Sequence, residues 1–219
     1  ERRYQETMSW LSYLFPRTVA RFSSRFNKDI RINEEKGKLK LLVNGSRQSG
    51  AYIEMLWLEA FAALRLPETA VNILVLGVAG GTVIRLLRIR YPQAKITGVD
   101  IDQTMIDIGK KYFGLDKIGN LSFVCQDAEK FISIKRKFDF IVVDLFIGTH
   151  VPELVRKESF LKNLKASMTN NGAVVMNYLR EFEYGKKSES LRKTLTKLFA
   201  RVQEKDMYGN RFFLTSMVK

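Results

Sequence analysis

Short apolar runs alternate with helical segments over most of the chain. From Asn72 onward, each apolar run has the length of a buried strand and is followed by a segment with helical spacing. The predicted strands are ILVLG, KITGVD, LSFVC, FDFIVVD, AVVMNYL and FFLTSMV, and the predicted helices are TVIRLLRIRY, TMIDIGKKYF, AEKFISI, ESFLKNLKASM and LRKTLTKLFARV. Strands that alternate with helices form right-handed crossovers, so the pattern predicts a doubly wound α/β domain with a mostly parallel sheet and helices on both faces.

The first 66 residues carry a different pattern. The segment DIRINEEKGKLKLLVNG alternates with period two around a turn at residues 35–37, which predicts a β-hairpin, and AYIEMLWLEAFAAL has helical spacing. The segment from Met8 to Phe26 is amphipathic and aromatic, so it either lies on a membrane surface or caps the domain. We therefore expect an amphipathic N-terminal segment (1–27), a small hairpin and helix unit (28–66) and the α/β domain (67–219).

Composition adds a strong basic bias. The 219 residues include 37 Lys+Arg and 23 Asp+Glu, a net charge of +14, which favours an anionic partner such as nucleic acid or a membrane surface. No nucleic-acid motif accompanies the charge, so a solvated basic face is the simpler interpretation. The single cysteine, Cys125, lies in the apolar run LSFVC and is expected to pack as a small apolar residue. With no apolar stretch of 18 residues, we expect a cytoplasmic protein, with a membrane-peripheral location as the alternative.

A glycine-rich turn follows the first strand of the α/β region. Gly77, Gly80 and Gly81 have the spacing G-x-x-G-G, which differs from the G-x-G-x-x-G of dinucleotide binders. Glycine allows a ligand to approach the main chain, and the next helix offers its positive N-terminus. Asp100 follows at the end of the next strand, where a carboxylate grips a ribose diol in nucleotide-binding sheets. The alternative is that the glycines only turn the chain and the acid is a solvated strand end.

Acidic residues also end the third and fourth predicted strands. Asp127, followed by Ala128, is placed to accept a hydrogen bond from the amine of adenine, so we infer S-adenosylmethionine or a close relative as the ligand. Asp144 ends FDFIVVD and is expected either to deprotonate a nucleophile or to hold the amino group of the ligand tail. His150, in the loop that follows, is either a second acid/base group or a bystander. No metal is expected.

These motifs resemble the spermidine synthase-like group within the class I S-adenosylmethionine-dependent methyltransferase superfamily. The matching segments are KLKLLVNGSRQSGAYIEML, ILVLGVAGGT, ITGVDID, VCQDAEKF and FIVVDLFIGTHVPELVRKESFLKNLKASMTNNGAVVMNYL. The resemblance covers residues 28–219. It implies a Rossmann-like methyltransferase fold and a homodimer.

The resemblance also implies roles for single residues. Asp100 takes the position that binds the ribose, Asp127 and Ala128 take the adenine-contacting pair, and Asp144 takes the position of the aminopropyltransferase proton acceptor. Tyr52 and Glu54 match the Tyr and Glu of the Y-H-E-M helix start. The residues expected at the donor are Gly77, Ala79, Gly80, Asp100, Ile101, Asp127 and Ala128, and those expected in the acceptor pocket are Gln48, Tyr52 and His150.

Four positions depart from the polyamine synthase pattern. Gly80 stands where the turn G-G-G-D-G has its aspartate, Ile53 replaces the histidine of Y-H-E-M, Ile147 replaces the second acid of a D-x-x-D loop, and Lys28 replaces a glutamine near the nucleoside. A desolvated diamine needs carboxylate partners. The sequence therefore favours a methyltransferase that uses S-adenosylmethionine on a non-polyamine substrate. The alternatives are a polyamine aminopropyltransferase (spermidine synthase) that uses decarboxylated S-adenosylmethionine, and a non-catalytic binding domain.

Overall fold

A computed structural model describes residues 10–13, 15–134 and 136–217. Residues 1–9, which include the start of the amphipathic segment, lie outside the described residues. The described strands are β1 (Arg17–Phe22), β2 (Ile30–Glu35), β3 (Lys38–Val43), β4 (Ser46–Arg47), β5 (Asn72–Leu76), β6 (Lys95–Asp100), β7 (Leu121–Cys125), β8 (Phe138–Val143), β9 (Met168–Leu179), β10 (Arg201–Met207) and β11 (Asn210–Ser216). The described α-helices are α1 (Ala51–Ala63), α2 (Thr82–Arg90), α3 (Gln103–Phe113), α4 (Ala128–Ser133), α5 (Glu158–Ala166) and α6 (Tyr184–Leu198).

The larger of two sheets has seven strands in the order β10-β11-β9-β8-β5-β6-β7. The five strands from β9 to β7 pair in parallel, and β11 pairs antiparallel with β9 and β10. This arrangement confirms the predicted mostly parallel α/β sheet. The chain winds from β5 toward β7 on one side and from β8 toward β9 on the other, so the direction of winding reverses between β5 and β8. Ligands of such sheets bind beyond the carboxyl ends of the strands at this point.

Helices cover both faces of this sheet because its central strands are apolar on both faces. In β5, Ile73 and Val75 pack into one core cluster, and Leu74 and Leu76 pack into the other. The first cluster includes buried side chains of α1 and α2, and the second includes buried side chains of α4, α5 and α6. Both faces of the sheet are therefore buried under helices, and the loops lie at its carboxyl edge.

The smaller sheet is antiparallel, with the order β1-β2-β3-β4. Strands β2 and β3 form the predicted hairpin, and the pair Glu35↔Lys38 closes its turn. Strand β1 comes from the amphipathic segment and pairs with β2, while Phe22 packs near Met105 and Ile108 of α3. The part of the amphipathic segment that forms β1 therefore packs against the rest of the protein, as expected if the segment caps the domain. The small sheet thereby covers α3 near the carboxyl edge of the large sheet.

Two local predictions are wrong. The last predicted helix ends at Leu198, and its final residues begin the strand β10. Strand β10 lies at the edge of the sheet and is largely polar, so it lacks the apolar alternation that predicts a strand. Cys125 is exposed, because it is the last residue of the opposite edge strand, β7. Among the described residues, no helix combines the length and the apolar character needed to cross a bilayer.

Candidate active site

The glycine turn lies directly against the end of β8. Gly77 has φ +94°, and a Cβ atom on it would overlap the main-chain oxygen of Asp144. Its N–H donates a hydrogen bond to the oxygen of Val99 at 2.8 Å, which ties the turn to β6. Glycine is thus required here by packing alone. The same close approach brings the end of β8 beside the turn.

Gly80 explains one departure from the polyamine synthase pattern. A Cβ atom on Gly80 would lie 2.5 Å from the Ser49 side chain, and the Ser49 hydroxyl in turn lies 2.9 Å from that of Thr82. The space that an aspartate would need is therefore filled by Ser49. A carboxylate is excluded from this position unless residue 49 also changes.

Asp100 holds the turn through its carboxylate. Its two oxygens accept hydrogen bonds from the main-chain N–H groups of Val78 (2.9 Å) and Asp102 (3.0 Å). Burial raises the pKa of Asp100, while these main-chain hydrogen bonds oppose the increase. Each carboxylate oxygen has two lone pairs. Asp100 can therefore hold the turn and still accept hydrogen bonds from a ligand diol.

Asp102 and Asp127 cap the helices that begin at the same edge. Asp102 accepts from the N–H of Thr104 at 3.0 Å and also from the Asn27 amide at 3.2 Å, which fixes the loop before β2. Asp127 accepts from the N–H of Lys130 at 3.0 Å and thereby starts α4. These caps fix the first turns of α3 and α4, the helices that follow β6 and β7.

The carboxyl edge carries a row of four cavities that share walls. The edge cavity is lined by Cys125, Gln126 and Asp127, and it shares Ile101 and Asp102 with the next. This second space, the turn cavity, is also lined by Gly77, Ala79, Asp100 and Asp144. Five of the seven residues expected at the donor therefore line two adjoining spaces: Gly77, Ala79, Asp100, Ile101 and Asp127. Ala128 is buried in the core instead.

Two further cavities continue on the other side of Asp144. The inner chamber has a volume of about 290 Å³ and lies between α1 and β9; Gln48, Phe146 and Asp144 are the walls that it shares with the turn cavity. The outer chamber opens beyond it and shares Tyr52 and Asn210 with it. Asp144 therefore lies in the wall between the turn cavity and the inner chamber.

Asp144 is surrounded by uncharged N–H donors. The Asn177 amide donates to Oδ1 of Asp144 at 2.9 Å, and Asn177 in turn accepts from the Asn210 amide at 2.8 Å. The indole N–H of Trp57 also lowers the pKa of Asp144, although it has no hydrogen-bond partner of standard geometry. Desolvation outweighs both donors and raises the pKa of Asp144 to about 6. Within the described part of the chain, no cationic side chain offsets this desolvation of Asp144.

The three predicted acceptor-pocket residues line these chambers. The Gln48 amide donates to the oxygen of Gly148 at 2.8 Å, and the Tyr52 ring lies 5.9 Å from that of Tyr208. His150 is exposed in the outer chamber, with Nδ1 3.2 Å from the Thr149 hydroxyl.

Two of the four departures make the walls apolar. Ile53 lines the inner chamber, and Ile147 lines the turn cavity. The expected place of Lys28 is wrong, because Lys28 is exposed and the buried Asn27 lines the turn cavity instead. Of the lysines that the structure describes, none lines the turn cavity or the inner chamber.

Sequence reasoning missed the residues that surround Asp144. Asn177 gives a weak signal, since a buried amide interrupts the apolar run AVVMNYL. Trp57 looks like an ordinary core residue of an apolar helix, and Asn210 lies in no pattern at all. Asn177 and Trp57 act on Asp144 directly, and Asn210 acts through Asn177. These interactions join distant parts of the chain, so only the fold reveals them.

The family follows from comparison with known proteins. The family model of the spermine/spermidine synthase domain matches residues 51–215, well over half of the chain. The chain therefore belongs to the spermine/spermidine synthase family. The match includes the glycine turn, Asp100, Asp127 and Asp144.

Curated relatives of this family member carry aminopropyltransferase names. The chain is 29% identical over 143 residues to a probable polyamine aminopropyl transferase of Bifidobacterium longum, covering 64% of this chain and 31% of the relative. It is 32% identical over 110 residues to a polyamine aminopropyltransferase of Vibrio vulnificus, covering 48% and 37%. The chain thus spans about a third of the length of these two relatives.

Solved structures share the fold. A probable spermidine synthase from Corynebacterium glutamicum superposes with a TM-score of 0.78 at 16% identity, covering 93% of this chain and 81% of that one. A spermidine synthase in complex with the transition state analogue AdoDATO gives 0.75 at 17% identity, covering 92% and 74%. Human methyltransferase-like protein 13 in complex with SAH gives 0.64 at 20% identity, covering 77% and 83%. At 16% to 20% identity, these likenesses show a shared fold.

Proposed function

We propose that this protein transfers an alkyl group from an adenosyl sulfonium donor to an amine, with Asp144 as the proton acceptor. The observation that carries the proposal is the position of Asp144, a desolvated carboxylate in the wall between the turn cavity and the inner chamber. A proton acceptor must face both the donor and the nucleophile. In this site, Asp144 meets that requirement.

The residues of the edge and turn cavities suit the nucleoside part of the donor. Asp100 offers lone pairs to a ribose diol, and Asp127 offers a carboxylate to an exocyclic amine. Gly77 leaves the main chain uncovered beside Asp144. The dinucleotide glycine spacing is absent, which agrees with a ligand that has no pyrophosphate.

The chain's own part in the reaction is alignment and proton transfer. The donor supplies a carbon that is activated by its bond to a positive sulfur. The acceptor nitrogen forms the new bond to that carbon, the carbon–sulfur bond breaks with its electron pair left on sulfur, and Asp144 takes the proton from nitrogen. With a pKa of about 6, Asp144 is a carboxylate at neutral pH and can accept this proton.

Aminopropyl transfer from decarboxylated S-adenosylmethionine is the first candidate. The named relatives support it, which reverses the order that the sequence favours. Glu181 and Glu183 of the outer chamber also support it, because they offer carboxylates to the far ammonium of a polyamine. These carboxylates would take the part of the loop acid that Ile147 replaces.

Methyl transfer from S-adenosylmethionine is the second candidate. Residue 80 is glycine, and Ser49 fills the space that an aspartate would need there. The turn therefore offers no side-chain carboxylate at position 80 to the amino group of the donor tail. Arg47 lines the inner chamber, and its positive charge disfavours a polycation there. These observations favour an acceptor that is not a small polyamine.

A paired product assay separates the candidates. The protein is incubated with putrescine and either decarboxylated S-adenosylmethionine or S-adenosylmethionine, with a panel of other amines as further acceptors. Release of methylthioadenosine identifies aminopropyl transfer, and release of S-adenosylhomocysteine identifies methyl transfer. Asp144→Asn is the control that must remove the product. If neither nucleoside forms although both donors bind, the proposal fails and the non-catalytic binding domain is correct.

A further inference from the structure

Asn210 lies outside the motifs of the family, yet it is joined to Asp144 through one other side chain. Asn210 begins β11, Asn177 lies in the neighbouring β9, and Asp144 follows β8. The three side chains form a row across the strand ends, with distances of 2.8 Å and 2.9 Å. We propose that Asn210 is a positioning residue: by donating to the oxygen of Asn177, it stabilises the orientation in which the Asn177 N–H faces Asp144. The catalytic consequence rests on the proposed function, whereas the orientation does not.

The orientation follows from the hydrogen-bonding capacity of an amide. A primary amide has donors on its nitrogen side and an acceptor on its oxygen side. Asn177 lies between Asp144 and Asn210, so one neighbour meets its nitrogen and the other meets its oxygen. In the structure, Asn210 donates to the oxygen of Asn177, which leaves the nitrogen for Asp144. The reverse orientation places oxygen against carboxylate and is repulsive unless Asp144 is protonated.

Because Asn177 is buried, the orientation of its amide decides which hydrogen bond Asp144 receives. Asn177 is only 5% exposed, so water is a poor substitute for either partner. The other side chain that acts on Asp144 is Trp57, whose indole is an N–H donor. Among the described residues, the charged side chains that line a cavity together with Asp144 are Arg47 in the inner chamber and Asp100 and Asp102 in the turn cavity. Asn177 is thus the donor through which a change at residue 210 reaches Asp144.

Asn210→Asp replaces the group that donates to the Asn177 oxygen with a group that can only accept hydrogen bonds. A carboxylate at residue 210 has no donor for Asn177, so both neighbours of Asn177 then compete for its nitrogen. Asp144 loses its donor in part of the molecules and becomes a stronger base. The new negative charge raises the pKa of Asp144 as well, so the experiment must separate charge from orientation.

A double-mutant cycle makes this separation. The Asp144 carboxyl is titrated by carbon NMR in the ligand-free protein and is assigned by its absence in Asp144→Asn. The substitution Asn210→Asp is introduced into the natural chain and into Asn177→Ala. Repulsion between Asp144 and the new carboxylate raises the pKa of Asp144 in both backgrounds. A change in the orientation of the Asn177 amide can raise it only where Asn177 is present. We expect Asn210→Asp to raise the titration midpoint of Asp144 by about one pH unit more in the natural chain than in Asn177→Ala. This difference corresponds to a tenfold change in the proton affinity of Asp144.

Equal shifts in the two backgrounds overturn the proposal, because residue 210 then acts by charge alone. A second measurement uses the natural chain and does not depend on how the variants fold. The side-chain amide signals of Asn177 and Asn210 are followed from pH 4 to pH 8, and both should move with the midpoint of Asp144. If the Asn210 signal stays constant, the proposal is wrong. Transfer assays are separate, so their failure removes the proposed function and leaves this orientation intact.

Discussion

The most exacting prediction concerns the cost of keeping Asp144 charged in the folded protein. Its pKa rises from 3.8 to about 6, mainly through desolvation. Two pKa units correspond to about 3 kcal/mol. Replacing Asp144 with asparagine removes this cost, so Asp144→Asn should be more stable than the natural chain by about 3 kcal/mol at pH 8 while losing transferase activity.

The sign of the pH dependence follows from proton binding. Between pH 4 and pH 6 the unfolded carboxyl loses its proton first, so the folded state binds more protons and its stability falls as pH rises. Below pH 4 the Asp144 carboxyl is protonated in both the folded and the unfolded state. The natural chain and Asp144→Asn should then have nearly equal free energies of unfolding. The difference should therefore develop between pH 4 and pH 6 and stay constant above pH 7.

Urea denaturation at a series of pH values measures this difference. Asp116→Asn, which changes an exposed carboxylate, is the matched control for the loss of one negative charge. A stability difference that is the same at pH 4 and pH 8, or an Asp144→Asn protein that is less stable at pH 8, would refute the claim that Asp144 is desolvated without a cationic partner.

Three further predictions concern the turn, the donor and the outer chamber. Gly77→Ala forces a Cβ atom onto the main chain of Asp144 and should destabilise the protein by more than about 3 kcal/mol in denaturation, whereas Gly148→Ala meets only the Asn44 side chain, at 3.1 Å or more, and should cost less. Asp100→Asn removes a charged acceptor and should weaken methylthioadenosine binding at least about tenfold by calorimetry. Glu181→Gln should raise the KM for a diamine a few-fold and leave the KM for a monoamine unchanged, since an exposed carboxylate contributes modestly.

The fold was predictable because its signals are local. The run Ile73–Leu76 is apolar at every position, as a strand buried on both faces must be, and Gly77 marks its end. Asp100 follows the next strand at the distance typical of a ribose-binding acid. Strand β10 was not predictable, because an edge strand exposed to solvent needs no apolar alternation.

The site was predictable only at the strand ends. Asp100 ends a strand, and Gly77 and Asp144 come directly after strands, so parallel pairing alone brings them to one edge. Asn210 and Trp57 reach Asp144 through the packing of β11 and α1, which no local pattern encodes. The local sequence cannot show that Ser49 fills the space beside Gly80, because that contact also joins distant segments.

The central claim is that the carboxyl edge of the sheet binds an adenosyl sulfur nucleoside with its sulfur facing Asp144. A crystal structure with bound methylthioadenosine tests it most directly. The account predicts the ribose hydroxyls within hydrogen-bond distance of Asp100, the adenine beside Asp127 and the sulfur toward Asp144. A nucleoside bound elsewhere, or a turn cavity that stays empty at saturating nucleoside, would contradict it.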